Sequence, residues 1–286
     1  MNNLIITLFD VEQGNSTLVQ TPNGRHILLD CGTNATTGFT PSKHLKNVVG
    51  VTAGIKNLDQ VILTHADEDH IADIEGISGL NPTIVARNRS VSPDYIRSEK
   101  MRTGGSVEPT VERYIDLDTR YSQPIAVQDW GGVTIDHFWN VPSQDITELN
   151  DLSLVTFITY GDFKIIFPGD LSAKGWQELL YRNGRSAEFI KHLQGTTVFV
   201  ASHHGREDGY CEEIFSFAKP MLIIFSDKSV EHDTQDTMGL YKKHVNGSAK
   251  FMDRSGQTAD RYILTTRDDG AITFKIDGSQ FWVTGK

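Results

Sequence analysis

The stretch His65-Ala66-Asp67-Glu68-Asp69-His70 decides the fold of this chain. It follows Gln60-Val61-Ile62-Leu63-Thr64, a short and nearly all-apolar run that is typical of a strand buried on both faces. In an extended segment the side chains of residues 65, 67 and 69 project to one side, and a turn would bring residue 70 round to join them. Because buried carboxylates are costly without a cation, the pattern predicts a metal site where this strand ends.

Two further loops carry side chains that can bind a metal, and each also follows an apolar strand. Gly169-Asp170 comes after the predicted strand 163–167, and His203-His204-Gly205 comes after the predicted strand 196–200. A lone histidine or aspartate is usually a core, turn or capping residue, so the argument depends on the shared context of all three loops. Since loops on rigid strands hold ligands in place, we expect the three loops to meet around one cationic centre.

The rest of the chain alternates strand-rich and helical stretches, without a fixed-period repeat or a linker. Periodicity and turn residues predict strands at 4–9, 16–20, 25–30, 60–64, 132–139, 152–160, 163–167, 196–200 and 221–225, and a terminal hairpin of 261–266 with 271–276. Helices are predicted at 41–58, 71–80, 172–182 and 236–245, and the middle of the chain, 81–128, looks less regular. This order predicts two sheets with helices outside, packed as a single sandwich-like domain over residues 1–286.

Composition restricts the class of protein. The chain has 286 residues, of which 38% are hydrophobic and 22% are charged, and a formal net charge of −10. These values indicate a globular protein and argue against one that coats nucleic acid, although a local site for nucleic acid remains compatible with them. No apolar run approaches the ~18 residues of a membrane span, and no basic residue opens a secretory signal. Two cysteines, Cys31 and Cys211, make no disulfide framework, which favours a cytoplasmic protein.

The motifs resemble those of a known family. His65-x-Asp67-x-Asp69-His70 is similar to the HxHxDH signature of the metallo-β-lactamase fold, and more closely to the HxDxDH variant in the hydrolase domain of ComEC-type competence proteins. The resemblance extends along most of the chain, through the segments 9–16, 28–32, 150–155, 167–170, 202–205 and 266–272. Residues 81–128 have no counterpart in it, and we interpret them as a variable insertion.

The resemblance implies an α+β fold, namely a metallo-β-lactamase-like αββα sandwich of two mixed sheets with helices on the outer faces. Its site would lie on one edge between the sheets. By position, the implied ligands are His65 and Asp67 for a first ion, Asp69, His70 and His204 for a second, and Asp170 as the bridge between them. His204 aligns with the last ligand of the family because it directly precedes Gly205, which leaves His203 to contact substrate or to orient a ligand.

One departure from the family concerns the first ion. This chain has Asn150 where the family supplies a further histidine, so the position could be completed by water, by Asn150 or by His137. The centre could therefore hold one ion or two per chain. With three aspartates among the implied ligands the site is harder than an all-histidine site, and Mn²⁺ competes with Zn²⁺ as the metal.

Several other polar residues keep two interpretations. Asp10 and Asp30 follow strands and are either capping residues or supports for the ligands. The stretch from Arg87 to Arg102 is either a solvated surface or an inserted basic loop that contacts phosphates. His232 lies beyond the last core strand, where it could touch substrate.

The predicted function is that of a metal-dependent hydrolase with a metal-activated water. Asp69 would hold a metal and orient the water, and His203 or His232 would protonate the leaving group. The ComEC resemblance implies a phosphodiester substrate, so we expect a phosphodiesterase or nuclease that acts on nucleic acid or nucleotides, without a membrane partner and with a protein partner from the same operon. The sequence does not indicate an oligomeric state.

Two alternatives remain at this point. The same fold could hydrolyse another ester, such as a lactone, a thioester or a phosphocholine ester. The chain could also be a non-catalytic binding or regulatory module that uses the metal as a structural staple, and the missing histidine at Asn150 leaves room for that interpretation.

Overall fold

The fold consists of two mixed β-sheets that pack face to face. A computed structural model describes residues 3–52, 55, 58–123, 125–126, 128–228 and 236–286. The strands in these ranges are β1 (Leu4–Leu8), β2 (Thr17–Gln20), β3 (His26–Leu29), β4 (Gln60–Ile62), β5 (Ile84–Ala86), β6 (Thr134–Phe138), β7 (Val155–Tyr160), β8 (Phe163–Phe167), β9 (Val198–Val200), β10 (Leu222–Phe225), β11 (Ala249–Met252), β12 (Thr258–Arg261), β13 (Ile263–Thr265), β14 (Ile272–Ile276) and β15 (Phe281–Gly285).

Short helices connect these strands. They are α1 (Pro41–His44), α2 (Glu68–Ile71), α3 (Ile74–Ser78), α4 (Pro93–Gly104), α5 (Pro109–Arg120), α6 (Ala173–Gln177), α7 (Ser186–Leu193), α8 (Met238–Lys242) and α9 (Thr266–Asp269). The helix predicted at 41–58 is shorter, because a π-helical turn after α1 ends at Val49 and Gly50 follows in the left-handed conformation. Within the described ranges, no helix combines the length and the apolar character that a bilayer span requires.

Strand order brings the three predicted loops to one edge. The larger sheet has the order β12-β11-β15-β14-β1-β2-β3-β4-β5 and the smaller sheet the order β13-β10-β9-β8-β7-β6. Strands β3, β4 and β5 run parallel in the first sheet, as do β8, β9, β10 and β13 in the second. Because neighbouring parallel strands end at the same edge of a sheet, the loops after β4, β8 and β9 converge.

Alternating side chains place each sheet between two cores. The core between the sheets includes Leu4 and Ile6 of β1 together with Ile158 and Phe167 of the other sheet. The opposite faces pack against helices: Leu28, Val61, Ile74 and Leu117 share one outer core, and Phe157, Phe199, Trp176 and Phe189 share the other. The order helix, sheet, sheet, helix confirms the predicted αββα sandwich.

The middle of the chain is more regular than the sequence suggested. Residues 93–104 and 109–120 form the helices α4 and α5, of 12 residues each. Ser92 caps α4 by accepting a hydrogen bond from the backbone N–H of Tyr95, and Gly105 ends the helix with φ +72°. The helix carries little apolar periodicity because Ile96 is its buried residue, which explains why the pattern did not reveal it.

The predicted terminal hairpin of 261–266 with 271–276 is wrong. Strand β13 pairs in parallel with β10 in the smaller sheet, whereas β14 pairs with β1 and β15 in the larger sheet. The chain crosses between the sheets after α9 at Gly270, where φ is +71° and an added Cβ would lie 1.9 Å from the Lys286 carbonyl oxygen. Periodicity identified both strands but carried no information about their partners, which depend on long-range packing.

Candidate metal centre

Turns at the edge of the sandwich position the side chains of the site. The segment after β4 is extended as far as Asp67, which has φ −90° and ψ 145°, and α2 then forms a single helical turn. This turn carries Asp69 and His70, so the predicted extended arrangement of residues 65, 67 and 69 stops at Asp67. Asp170 follows β8, and His204 follows β9 in a turn where φ is +58°.

Four donor residues converge, and we call Asp69, His70, Asp170 and His204 the four-residue cluster. One ligand atom from each lies within 4.8 Å of all the others. The Nε2 atoms of His70 and His204 are 3.3 Å apart, and they lie 3.1 Å from Oδ1 and Oδ2 of Asp170 respectively. Asp69 Oδ2 lies 3.3 Å from His204 Nε2. Adjacent ligands about 2.1 Å from a common ion are about 3.0 Å apart in octahedral and about 3.4 Å apart in tetrahedral coordination, so this spacing fits one divalent ion.

The electrostatics of the cluster favour positive charge. Burial opposes ionisation of Asp170 and Asp69, but the nearby imidazoles of His204 and His70 hold the pKa of both carboxyls well below the ordinary value. Burial also opposes protonation of His204, yet Asp170 and Asp69 raise its pKa to about 9. Buried carboxylates at this spacing therefore attract cations, which is the property that a metal centre needs.

A buried hydrogen-bond network orients His70. Its Nδ1 lies 2.8 Å from Asp30 Oδ2, which directs Nε2 towards the cluster. Asp30 is fully buried and accepts hydrogen bonds from the backbone N–H and the hydroxyl of Thr64, at 2.8 and 2.9 Å, and from the Asn15 amide at 3.2 Å. Of the two interpretations of Asp30, the structure therefore favours support of a ligand.

His204 is oriented in the same way from the opposite side. Its Nδ1 lies 3.0 Å from the Ser226 carbonyl oxygen, and the Ser226 hydroxyl donates to the Gly14 carbonyl oxygen at 2.7 Å. His203 and His204 both adopt left-handed backbone conformations, with φ +50° and +58°. Such strain in residues other than glycine persists where the surrounding structure over-determines it.

Glycines allow the backbone to close around Asp69. An added Cβ at Gly14, where φ is +105°, would lie 2.0 Å from the Asp69 carbonyl oxygen, and one at Gly32 would lie 2.5 Å from the same atom. The sequence alone indicates only that both glycines are turn residues. Their physical role here is to let the segments after β1 and β3 closely approach the α2 turn that carries Asp69.

The remaining predicted ligands, His65 and Asp67, lie outside the four-residue cluster. His65 Nε2 is 3.8 Å from Asp67 Oδ2 and 3.9 Å from Asp170 Oδ2, and this buried nitrogen has no hydrogen-bond partner within the described residues. A buried polar atom without a partner is uncommon, so this nitrogen is a donor that the described residues leave unused. The other carboxylate oxygen of Asp67 is engaged by the Lys100 ammonium at 2.9 Å.

The other candidate residues differ in where they lie relative to the four-residue cluster. His203 lies beside the cluster, with Nε2 3.8 Å from Asp170 Oδ2 and Nδ1 2.9 Å from Asp208 Oδ1. His137 instead contacts Thr156 on β7 and lines a separate cleft with Trp139. Asn150 lies in a 3₁₀ turn and is not part of the four-residue cluster. His232 lies outside the described residues.

The stretch from Arg87 to Arg102 is not a uniform solvated surface. Arg87 is buried and ion-paired with Asp118, whereas Arg97 and Arg102 form exposed ion pairs with glutamates. Lys100 turns inward to the candidate centre. Its spacing from Ile96, four residues earlier on the same helix face, is the signal that could have identified it once the helix was known.

Removal of the carboxylate that orients His70 should weaken metal binding. We expect Asp30→Asn to lower the affinity for Zn²⁺ or Mn²⁺ by about 10- to 100-fold, because the amide cannot accept from His70 and Thr64 as the carboxylate does. Isothermal titration of the metal-free protein would measure this. Asp10→Asn is the matched control, since that carboxylate also follows a strand but accepts from the Glu12 N–H. Equal affinities of the two variants would contradict the role given to Asp30.

Comparison with known proteins agrees with this geometry. A sequence model of the metallo-beta-lactamase superfamily matches residues 9–205, a range that contains the whole four-residue cluster. The chain belongs to the metallo-beta-lactamase superfamily.

Two curated relatives are competence proteins. Competence protein ComA of Neisseria gonorrhoeae is 25% identical over 276 residues, which cover 91% of this chain and 34% of the relative. ComE operon protein 3 of Bacillus subtilis (strain 168) is 25% identical over 258 residues, which cover 84% of this chain and 30% of the relative. The chain thus spans about a third of the length of these relatives, and the predicted resemblance to ComEC-type proteins is confirmed.

The solved structures that match have lower sequence identity. The metallo-beta-lactamase fold protein YhfI from Bacillus subtilis is 14% identical, with a TM-score of 0.46 over 91% of this chain and 95% of that one. A Cronobacter sakazakii metallo-beta-lactamase with a HARLDQ motif is 16% identical, with a TM-score of 0.35 over 65% of this chain and 66% of that one.

Proposed function

We propose that the protein is a metal-dependent phosphodiesterase or nuclease that acts on nucleic acid or nucleotides. The observation that carries this proposal is the four-residue cluster, in which two imidazoles and two carboxylates converge at the edge of the sandwich. The residues that would hold the ion are Asp69, His70, Asp170 and His204. When bound, a divalent ion supplies Lewis acidity that lowers the pKa of water and stabilises negative charge on the substrate.

The protein groups around the ion have separate tasks. Asp30 and the Ser226 carbonyl oxygen fix the imidazoles of His70 and His204, so that each presents Nε2 to the centre. The Asp69 side chain is 34% exposed, in contrast to 4% for Asp170, so Asp69 lies on the side from which water and substrate approach. It is therefore suited to accept a hydrogen bond from the attacking water and to orient it.

His203 is placed to transfer a proton to the leaving group. Its Nδ1 lies against the Asp208 carboxylate, and its Nε2 faces the cluster. The carboxylate fixes the orientation of the ring, and the opposite ring nitrogen is placed to transfer a proton to a departing oxygen. His232, which we also expect near the substrate, remains a second candidate for this task.

Two further features support an anionic substrate. Arg206 and Lys228 line a small cleft together with His204 and Asp227, so two cationic side chains lie beside the centre. The resemblance of the motifs to ComEC-type hydrolase domains points to a phosphodiester as the specific anion.

We also propose that the chain is a single domain over 1–286 and that 81–128 is an insertion. This insertion supplies α4 and α5 to one wall of the site.

Metal removal coupled to a substrate panel tests the function. Purified protein should contain Zn²⁺ or Mn²⁺ by elemental analysis, and it should cleave DNA, RNA or a bis-aryl phosphate. Chelation should abolish cleavage, and readdition of the ion should restore it. Full activity in the metal-free protein would exclude the proposal. Hydrolysis of a lactone or a thioester, without hydrolysis of any phosphodiester, would show that the protein is a hydrolase of another class. Bound metal without any turnover would indicate that the metal has a structural role.

A further inference from the structure

We infer that Lys100 takes the place of a second metal ion, so that the centre holds one tightly bound ion rather than two. The inference rests on the metal centre proposed above and concerns its stoichiometry. Lys100 Nζ lies 2.9 Å from Asp67 Oδ1, and its side chain is only 14% exposed. Asp67, an implied ligand of the first ion, is thus already neutralised by an ammonium from the chain itself.

The helix that carries Lys100 is fixed on several sides. Ile96, one turn earlier on the same face, is buried in an outer core. The Tyr95 hydroxyl donates to the Thr147 carbonyl oxygen at 2.8 Å, and Arg97 pairs with Glu112 of α5 at 2.8 Å. Lys100 is therefore directed at Asp67 by a packed element, unlike the half-exposed Arg102 on the same helix.

The first position lacks the ligands that an ion needs. Catalytic metal sites usually have three protein ligands, and this position has lost one where Asn150 replaces a histidine. Lys100 engages Asp67 Oδ1, so among the described residues this position keeps His65, the partly neutralised Asp67 and a share of Asp170, which the four-residue cluster also uses. The ammonium would also repel a dication brought to the same carboxylate. Both effects disfavour a second ion.

Removal of the ammonium should open the first position to an ion. His65 Nε2 is 3.8 Å from the free oxygen of Asp67 and 3.9 Å from Asp170, and it has no hydrogen-bond partner within the described residues. Without Lys100, three donors would face one another with no competing cation. The variant Lys100→Gln should then gain a second ion.

Metal stoichiometry tests this without reference to activity. The metal-free protein of residues 1–286 would be titrated with Mn²⁺ and with Zn²⁺ by calorimetry. The electron paramagnetic resonance spectrum of Mn²⁺ would distinguish an isolated ion from a coupled pair. We expect one tight equivalent in the wild type, and in Lys100→Gln a second equivalent bound at least about 10-fold more tightly than any second ion in the wild type. Lys100→Arg and Arg102→Gln are the controls and should keep one equivalent.

Asp67→Asn provides a second test that does not need a new site to form. If Asp67 pairs with Lys100 and does not bind an ion, this variant keeps one tightly bound equivalent of metal. Two tight equivalents in the wild type would overturn the inference while leaving the proposed hydrolase intact, and so would a single equivalent in a folded Lys100→Gln variant. A wild type that binds no divalent ion would instead overturn the proposed function itself.

Discussion

Asp170→Asn should lower phosphodiester hydrolysis at least about 1000-fold, more than the loss of one electrostatic donor costs in a hydrolase site. Both oxygens of Asp170 lie 3.1 Å from a cluster imidazole, so this one carboxylate links His70 to His204. The amide keeps the shape but removes the charge that draws an ion into the buried site. Steady-state rates and metal content of the purified variant would measure the effect.

The matched control is Asp162→Asn. Asp162 is an exposed residue in the turn before β8, and Asp170 follows the same strand. It should retain wild-type metal content and rate. Because Asp170 is buried, its variant should be checked for folding by circular dichroism. Asp69→Asn, at a more exposed member of the cluster, gives a second measurement if the fold is affected. Retention of both the ion and the rate in folded Asp170→Asn would refute the metal centre.

Gly14→Ala should destabilise the protein by about 2–5 kcal/mol, through backbone strain and overpacking together. Its φ of +105° disfavours any residue with a side chain, and the new Cβ would lie 2.0 Å from the Asp69 carbonyl oxygen. Relief of this clash requires α2 to move, which would displace Asp69 and weaken metal binding. Chemical unfolding and metal titration would measure the two effects.

Gly24→Ala separates the strain from the clash. Gly24 also has a positive φ, +82°, but an added Cβ there meets nothing within 4 Å. We expect this variant to lose about 1–2 kcal/mol, the cost of the left-handed backbone alone, with metal affinity unchanged. Equal losses at the two positions would show that the contact of Gly14 with the α2 turn that carries Asp69 is unimportant.

The sequence predicted the structural features that depend on residues close together along the chain. The apolar run before His65 predicted a buried strand, and polar ligands after three such strands predicted a shared site. The side chains converge because parallel strands end at a common edge of a sheet, which the order of β3, β4 and β5 and of β8, β9 and β10 satisfies.

Long-range pairing was less predictable. Strands β13 and β14 were identified but assigned to one hairpin, although they lie in different sheets. The hydrogen bond of Ser226 to Gly14 spans 212 residues along the chain, and no pattern near either residue signals it. Backbone carbonyls support ligands regardless of side-chain identity, so residue types alone do not reveal such contacts.

The sequence by itself determined two sheets with helices outside and the residue types that follow their strands, because strand periodicity and strand-end side chains are local properties. Only the tertiary structure decided how the six implied ligands divide. It gathers Asp69, His70, Asp170 and His204 into one set and gives Asp67 to Lys100. That division depends on how α4, which carries Lys100, packs against the outer core. Packing between distant segments is set by shape and burial across the whole molecule.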